Sequence, residues 1–599
     1  MPSIAQYGWS FGIALAASLV LTFVVRTVAR RLKLVARPRP DRWHKKPTAL
    51  YGGVGIFLAF LVTTLFVKRP PHAPGANLLL LCASGMFFVG LVDDAIQLKP
   101  YAKLVGQILF CAAITMFGLR LHWLPSEVLD RGLTIFWLVG VTNAINLLDN
   151  LDGLAGGIAA IAALYLVYFC HSSGFVTAAY LAAAFSGSVI GFLVFNVNPA
   201  SIFMGDCGSL FLGFFLGAVT LVNNEGGVRR NIIAVLAIPV LLLLIPIVDT
   251  TLVTISRRMA GRPVSQGGRD HTSHRLVALG LSELNAALTL WTLAALSGAV
   301  AVLVRNSSWM IGALLVPSFF MACLFCAIFI GHVKVYQPVS DEGDAGGRAL
   351  LPTLADFTYK RRIFEVLCDL IVVVLAYYAA FLLRFDGELV MPYYRQFLQS
   401  LPIVLVLQLG AFLVLGLYDG LWRYTSMSDL SRQLRAVMGA WIVSTLAIVF
   451  AFRLESFSRS VLILDGIMLF AGVTTTRVSF RLMRSWMARL QQTSQLGKRV
   501  LIYGAGDGGE LLLRELMQNR DHGLQAVGFV DDDPQKHGRV IHGVRVLGAL
   551  DRLGQLIDQE RVDELVVSTA RLTVDRTEQL AQVCRDAGLR YRRMRIALE

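Results

Sequence analysis

Apolar runs follow one another through residues 1–335, each close to the roughly 20 residues a helix needs to cross a bilayer. They centre near Leu15, Leu58, Gly85, Ala112, Trp137, Ala163, Ala183, Phe215, Leu241, Leu296 and Phe319, about eleven candidate spans by that length rule. Four polar islands interrupt them: Asp93-Asp94, Asn143 to Gly153, Phe203 to Ser209, and Arg269 to Leu276. Residues 336–356, rich in Pro, Gly and acids, read as a linker. About four more spans follow in residues 357–490, near Val373, Val406, Val443 and Leu469. From residue 497 the texture changes. RVLIYGAG is an apolar strand running into glycines, GELLLRELMQ an amphipathic helix, AVGFVDDDP a second strand and VDELVVS a later one. The pattern predicts a polytopic α-helical membrane protein of about 11 + 4 transmembrane helices with a C-terminal, cytoplasmic α/β Rossmann-like domain over 497–599.

Composition agrees. Hydrophobic residues make up 55% and charged residues only 16%, where soluble domains carry about a quarter charged. The formal charge of +15 would suit nucleic acid, but the basic residues cluster in short loops between spans, as membrane orientation produces. The first loop, with Arg26, Arg30, Arg31, Lys33, Arg37, Arg39, Arg42, Lys45 and Lys46, is therefore cytoplasmic. Counting spans onward puts the loops holding Asp93, Asp149, Asp206 and His271 on that same side. The start, MPSIAQYGWS, lacks a basic signal region, so the first run is expected to stay as a span. Eight scattered cysteines, with Cys323 and Cys326 inside an apolar run, give no zinc or redox pattern.

The islands carry the chemistry. Asp93 and Asp94 end the third span, and Lys103 beyond them offers a cation for phosphate. Asn143, Asn146, Asp149 and Asp152 recur every third residue, so on a helix they would line one wall of a cleft. Asp206 lies between Gly205 and Gly208, with Asn196 upstream, and accessible carboxylates suit Mg²⁺ completed by water and substrate phosphates. His271, His274 and Arg275 form a basic loop readable as an anion clamp. Each island has a plainer reading as a wet or capped helix end, but together they describe Mg²⁺-dependent phosphoryl transfer. A membrane-borne nucleotide-sugar sensor and a lipid-linked sugar transporter are the alternatives.

LVDDAIQLKPYAKLVGQ, NAINLLDNLDGLAGG, FNVNPASIFMGDCGSLFLG and RDHTSHRL resemble the signature loops of the polyprenyl-phosphate sugar-1-phosphate transferases, and HKKPTALYGG, with Thr48, resembles another. The resemblance implies transfer of a sugar phosphate, by family default an N-acetylhexosamine phosphate, from a UDP-sugar to undecaprenyl phosphate in a bacterial inner membrane. It makes Asp206 a Mg²⁺ ligand, with Mn²⁺ as substitute. Asp93 or Asp94 becomes base, metal ligand or lipid-phosphate anchor, and Lys103 a phosphate contact. Asn143, Asn146, Asp149 and Asn196 would serve the nucleotide, with Asp152 supporting that wall and His271, His274 and Arg275 completing the rim. The sequence departs from many relatives at Ala95 to Gln97 and at Thr272-Ser273. Implied partners are membrane lipid, a second copy as homodimer and other polysaccharide-assembly enzymes; nucleic acid is not among them.

Residues 357–599 resemble the front portion of the membrane-bound nucleotide-sugar dehydratases and epimerases, through YDGLWRYTSMSDL, FSRSVLILDG, KRVLIYGAGDGGELLLREL and VGFVDDDP. No second glycine loop and no YxxxK pair follow, so dehydratase activity is not expected. Gly504, Gly506 and Gly509 form G-x-G-x-x-G between strand and helix, and Asp531 ends the next strand, an arrangement for NAD(P) or a nucleotide sugar. A domain kept for docking alone is the competing account. Trp422, Arg423 and Tyr424 read as an interfacial anchor.

Overall fold

The computed structural model describes residues 4–36, 47–66, 75–222, 232–259, 268, 270–331, 357–418, 427–452, 457–494, 498–518, 524–568 and 573–593. The expected linker 336–356, Arg269, the Trp422–Tyr424 anchor and the basic residues Arg37 to Lys46 lie outside them. The chain divides into two compact units, residues 1–490 and 491–599.

The first unit is helical. Its first half runs α1 (Ile4–Arg31), α2 (Gly52–Phe66), α3 (Ala76–Ile96), α4 (Pro100–Met116), α5 (Glu127–Leu148), α6 (Leu154–Ser172), α7 (Val176–Asn196) and α8 (Gly205–Val222). It continues through α9 (Ile232–Leu242), α10 (Leu244–Met259), α11 (Thr272–Ala278), α12 (Glu283–Asn306) and α13 (Trp309–Gly331). A further set follows: α14 (Phe357–Arg384), α15 (Met391–Val414), α16 (Met427–Phe452) and α17 (Arg459–Ser494). Twelve helices among the described residues are long and apolar enough to cross a membrane. The helices α2 and α4 are apolar but shorter, at 15 and 17 residues.

The span expected near Leu241 is broken: α9 and α10 meet at 71°. Pro246, in the first turn of α10, has no N–H for the carbonyl of Leu242 and its ring crowds that carbonyl, which favours a kink at this point. The core between α2, α3, α7 and α8 is aromatic, with Phe57 stacked on Phe87 at 4.0 Å and Phe185 on Phe215 at 4.4 Å. Two short strands, β1 (Val35–Ala36) and β2 (Thr48–Ala49), pair antiparallel. The chain after β2 then zips onto the segment before α8: Phe203 N–H donates to Ala49 O, and the N–H groups of Gly52 and Gly53 donate to Phe203 O and Met204 O.

The second unit holds β3 (Lys498–Tyr503), α18 (Asp507–Gln518), β4 (Leu524–Val530), β5 (Val540–Ile541), β6 (Val544–Gly548), α19 (Leu553–Glu560), β7 (Glu564–Val567), α20 (Val574–Asp586) and β8 (Arg590–Arg593). The sheet order is β5-β6-β4-β3-β7-β8, all parallel except the β5–β6 hairpin. Strand order therefore reverses at β3, as in a doubly wound sheet, and the crevice beyond the strand ends lies between β3 and β7.

Candidate active site

The four islands of the first unit meet. Asp93 and Asp94 occupy the last turn of α3, and Gly90 sits one turn earlier on the same face. A Cβ at Gly90 would collide with the backbone carbonyl of Asp206, so glycine is what lets α3 reach the start of α8. Asp94 accepts hydrogen bonds there from Asp206 N at 2.8 Å and Cys207 N at 2.9 Å. A carboxylate on these otherwise orphaned N–H groups also satisfies the helix dipole. Gly205, at φ +78°, makes the turn, and a Cβ there would stand 2.7 Å from Asp94 Oδ2. Asp94, expected as base or metal ligand, caps the start of α8 beside Asp206.

Asp93 accepts Leu98 N–H at 2.8 Å, and its carboxylate lies within hydrogen-bond reach of that of Asp206. Lys103, from the first turn of α4, places Nζ 2.9 Å from Asp93 and 2.5 Å from Asp206. Asn146 completes the group: its Nδ2 donates to Asp206 Oδ1 at 2.9 Å and to Ser209 Oγ at 2.7 Å, and its Oδ1 accepts Lys103 Nζ at 3.3 Å. One turn along, Gln107 and Asn143 exchange hydrogen bonds at 3.2 and 2.7 Å. Asn143 is therefore a brace between α4 and α5, one turn from the Lys103–Asn146 contact.

The every-third-residue wall does not extend further, because α5 ends at Leu148 and Gly153, at φ +73°, turns the chain. Asp149 stays beside the carboxylates; burial, then the charges of Asp206, Asp152 and Asp94, push its carboxyl up to about 7. Asp152 accepts Ala200 N at 2.8 Å and Asn198 Nδ2 at 3.2 Å. Asn196, 3% exposed, clips Gly153 N to Ile202 O. Thr48, expected to touch substrate, is buried in β2. In this structure Asp152 and Asn196 bind backbone around the Gly153 turn, and Thr48 lies in the β1–β2 pair.

The histidine island joins through Ser273, whose Oγ donates to Asn150 Oδ1 at 2.6 Å. His271 is buried, with Nδ1 2.8 Å from Asp249, and Asp249 also accepts Thr272 N–H. His274 is buried, its ring 6.1 Å from that of His271. The Arg275 guanidinium donates to Asp270 O at 2.9 Å, Gly331 O at 2.6 Å and Ser256 Oγ at 3.0 Å. Asp249, Gln107, Asn150 and Ser209 were not singled out from sequence; a lone acid in LLLLIPIVDTTL was the available signal for Asp249.

Among the described residues no three His, Cys, Asp or Glu form a ready cation cage. The donor set nevertheless suits a hard cation shared with substrate. Asp93 and Asp206 adjoin, their neighbours include amide groups, and Lys103 offsets part of a local excess of carboxylates.

In the second unit Gly504, at φ +104°, ends β3, and a Cβ on Gly509 would collide with Gly504 O. Gly506 faces open space. Asp531 is taken up by the loop itself: it accepts Ala505 N at 2.7 Å, Asp533 N at 2.9 Å and Lys536 Nζ at 3.0 Å. Expected to take a ligand hydroxyl, it clasps the glycine turn instead.

Comparison with known proteins places glycosyl transferase family 4 at residues 76–224 and a CoA-binding domain at residues 414–592. A probable undecaprenyl-phosphate N-acetylglucosaminyl 1-phosphate transferase of Bacillus subtilis is 29% identical, over 50% of this chain and 85% of its own. A phospho-N-acetylmuramoyl-pentapeptide-transferase of Halalkalibacterium halodurans is 32% identical, over 48% of this chain and 95% of its own. A decaprenyl-phosphate N-acetylglucosaminephosphotransferase of Mycolicibacterium smegmatis is 29% identical, over 47% and 78%. Among solved structures, RSP, a Rex-family repressor, in complex with β-NADH matches over 29% of this chain and 82% of its own at 15% identity and a TM-score of 0.15.

Proposed function

The chain belongs to glycosyl transferase family 4, as a multi-pass membrane sugar-phosphate transferase, and from that premise we propose that it moves a sugar-1-phosphate from a UDP-sugar to undecaprenyl phosphate, releasing UMP. N-acetylhexosamine is the sugar class shared by the names of the relatives. The observation that carries the reading is Lys103 held between Asp93 and Asp206, with Asn146 on the second oxygen of Asp206. An anionic oxygen of the lipid phosphate attacks the β-phosphorus of the donor. A new P–O–P bond forms, and the bond to the bridging oxygen breaks, the electron pair leaving on UMP.

That chemistry asks for alignment and charge neutralisation rather than a covalent intermediate. Lys103 steers phosphate, Asn146 orients Asp206, and Asp94 fixes Asp206 through the α8 terminus. Asp149, titrating near neutrality, can hold or release a proton at the acceptor. Asp206 and Asp93 would hold Mg²⁺, which when bound offsets diphosphate charge. The basic first loop supports a site on the cytoplasmic face of a bacterial inner membrane. In the second unit the open approach at Gly506 suits the nucleoside diphosphate moiety common to nucleotide sugars, NAD(P) and coenzyme A, without dehydratase chemistry.

The test is purified protein with undecaprenyl phosphate, Mg²⁺ and a panel of UDP-sugars. Expected are equimolar UMP and lipid-linked sugar diphosphate, both lost with EDTA and with Asp206→Asn. Absence of UMP with every donor, or turnover unaffected by Asp206→Asn, overturns the reading.

A further inference from the structure

The helix α17 is 36 residues long, well beyond the roughly 20 that cross a bilayer. Two side chains of its later turns pack against groups that support the transferase site. Phe480 lies edge-on against Phe329 of α13, ring centroids 5.3 Å apart. Met483, one turn on, packs into the apolar cluster that contains Leu148 and Leu151 around the Asp149 turn and Leu276 and Leu279 of the histidine island. The end of α13 is tied to the same island, since Arg275 donates to Gly331 O. Ser273 and Asn150 tie the island to the Asp149 turn. Three of the site's supports therefore share one floor, and α17 closes it, although it lies outside the residues that carry the transferase motifs.

We propose that Phe480 and Met483 are positioning residues for the transferase reaction: α17 braces α11 and the Asp149 turn so that Asp149 keeps its place beside Asp206 and His271 its place against Asp249. The proposal rests on the transferase reading of that site. The two residues touch neither substrate nor the carboxylates; they act through Phe329 and the leucines. Bonding at both ends makes the floor stiff, whereas removing two side chains from its underside lets the α11 segment shift. Displacement on the ångström scale far from the chemistry lowers turnover by up to about a hundredfold.

The experiment uses the full chain in lipid nanodiscs, comparing Phe480→Ala/Met483→Ala, the single Met483→Ala, Met483→Leu, and Leu482→Ala, whose side chain is exposed on the neighbouring face. Expected for the double variant is a kcat, per folded molecule, lower by about tenfold or more, with KM for the UDP-sugar within about twofold. Met483→Ala shows a smaller loss, and Met483→Leu and Leu482→Ala match the unmodified protein. Hydrogen exchange at the Arg275 and Leu279 amides, which close the α11 turn, rises in the alanine variants only. Unchanged kcat with unchanged exchange overturns the brace, and so does a loss that merely tracks the amount of folded protein. If the unmodified protein turns over no donor, the transferase reading fails; unchanged exchange would then sink the brace separately.

Discussion

Replacing Lys103 with methionine removes the cation between two carboxylates while keeping the length of the stem. Nζ stands 2.9 Å from Asp93 and 2.5 Å from Asp206, with 15% of the side chain exposed. Opposite unit charges about 3 Å apart attract by roughly 1.4 kcal/mol in water and about 5–6 kcal/mol at an effective dielectric of 20. Stripping one partner from a buried pair costs about 3–5 kcal/mol, and this site is only partly closed, so the lower end applies. If about 3 kcal/mol is lost from the aligned state, kcat/KM falls by roughly 150-fold. A second effect has the opposite sign. Without the ammonium, Asp93 and Asp206 attract a cation more strongly, so half-maximal activation by Mg²⁺ should move to lower concentration. Lys103→Arg keeps the charge but brings a planar fork, and should lose about tenfold. The assay is UMP release at saturating undecaprenyl phosphate, normalised to monodisperse protein. Activity of Lys103→Met within about twofold of the unmodified protein, with the same Mg²⁺ requirement, would refute the reasoning.

Asp94→Ala removes the cap from α8, so thermal unfolding should show a loss of about 1–2 kcal/mol together with a drop in kcat. Full activity in that variant would contradict the capping role. In the second unit, Gly506→Ala faces open space and should weaken nucleotide binding by calorimetry without lowering the unfolding temperature. Gly509→Ala, driven against Gly504 O, should destabilise the unit outright; equal behaviour of the two would dissolve the distinction. Burial raises the Asp531 carboxyl, but hydrogen bonds from Asp533, Ala505 and Lys536 outweigh it and hold it below the ordinary 3.8. A depressed carboxyl contributes stability above its unfolded value and loses it as pH falls through the folded one. Asp531→Asn should therefore lower the unfolding temperature of the unit by about 5 °C at pH 7, and the gap should shrink as pH falls through the depressed folded-state value; a gap that does not narrow in acid would count against the clasp.

Much of the architecture was legible because bilayer spans announce themselves by length and apolarity. The spans expected before residue 335 correspond to helices, with α9 and α10 sharing one of them. The meeting of the islands followed from counting spans, and the Ser273–Asn150 and Lys103–Asp206 contacts realise it. The tasks of single residues were less legible. Spacing by three suggested one wall from Asn143 to Asp152, but that holds only while a helix continues, and α5 stops at Leu148. Arg275 read as an anion clamp from its charge, yet a short buried helix turns its guanidinium onto backbone carbonyls. Asp94 and Asp93 are adjacent and alike in sequence; only the approach allowed by Gly90 sends one to cap α8 and the other to Lys103.

The central claim is that the site cleaves the diphosphate of its donor and passes the sugar on with its phosphate. Donor labelled with ³²P separately at the α and β positions tests it in one reaction with undecaprenyl phosphate. The account predicts the β label in the lipid fraction, the α label in soluble UMP, and neither transferred by Asp206→Asn. Both labels remaining together in soluble UDP, while the sugar alone moves to lipid, would contradict it.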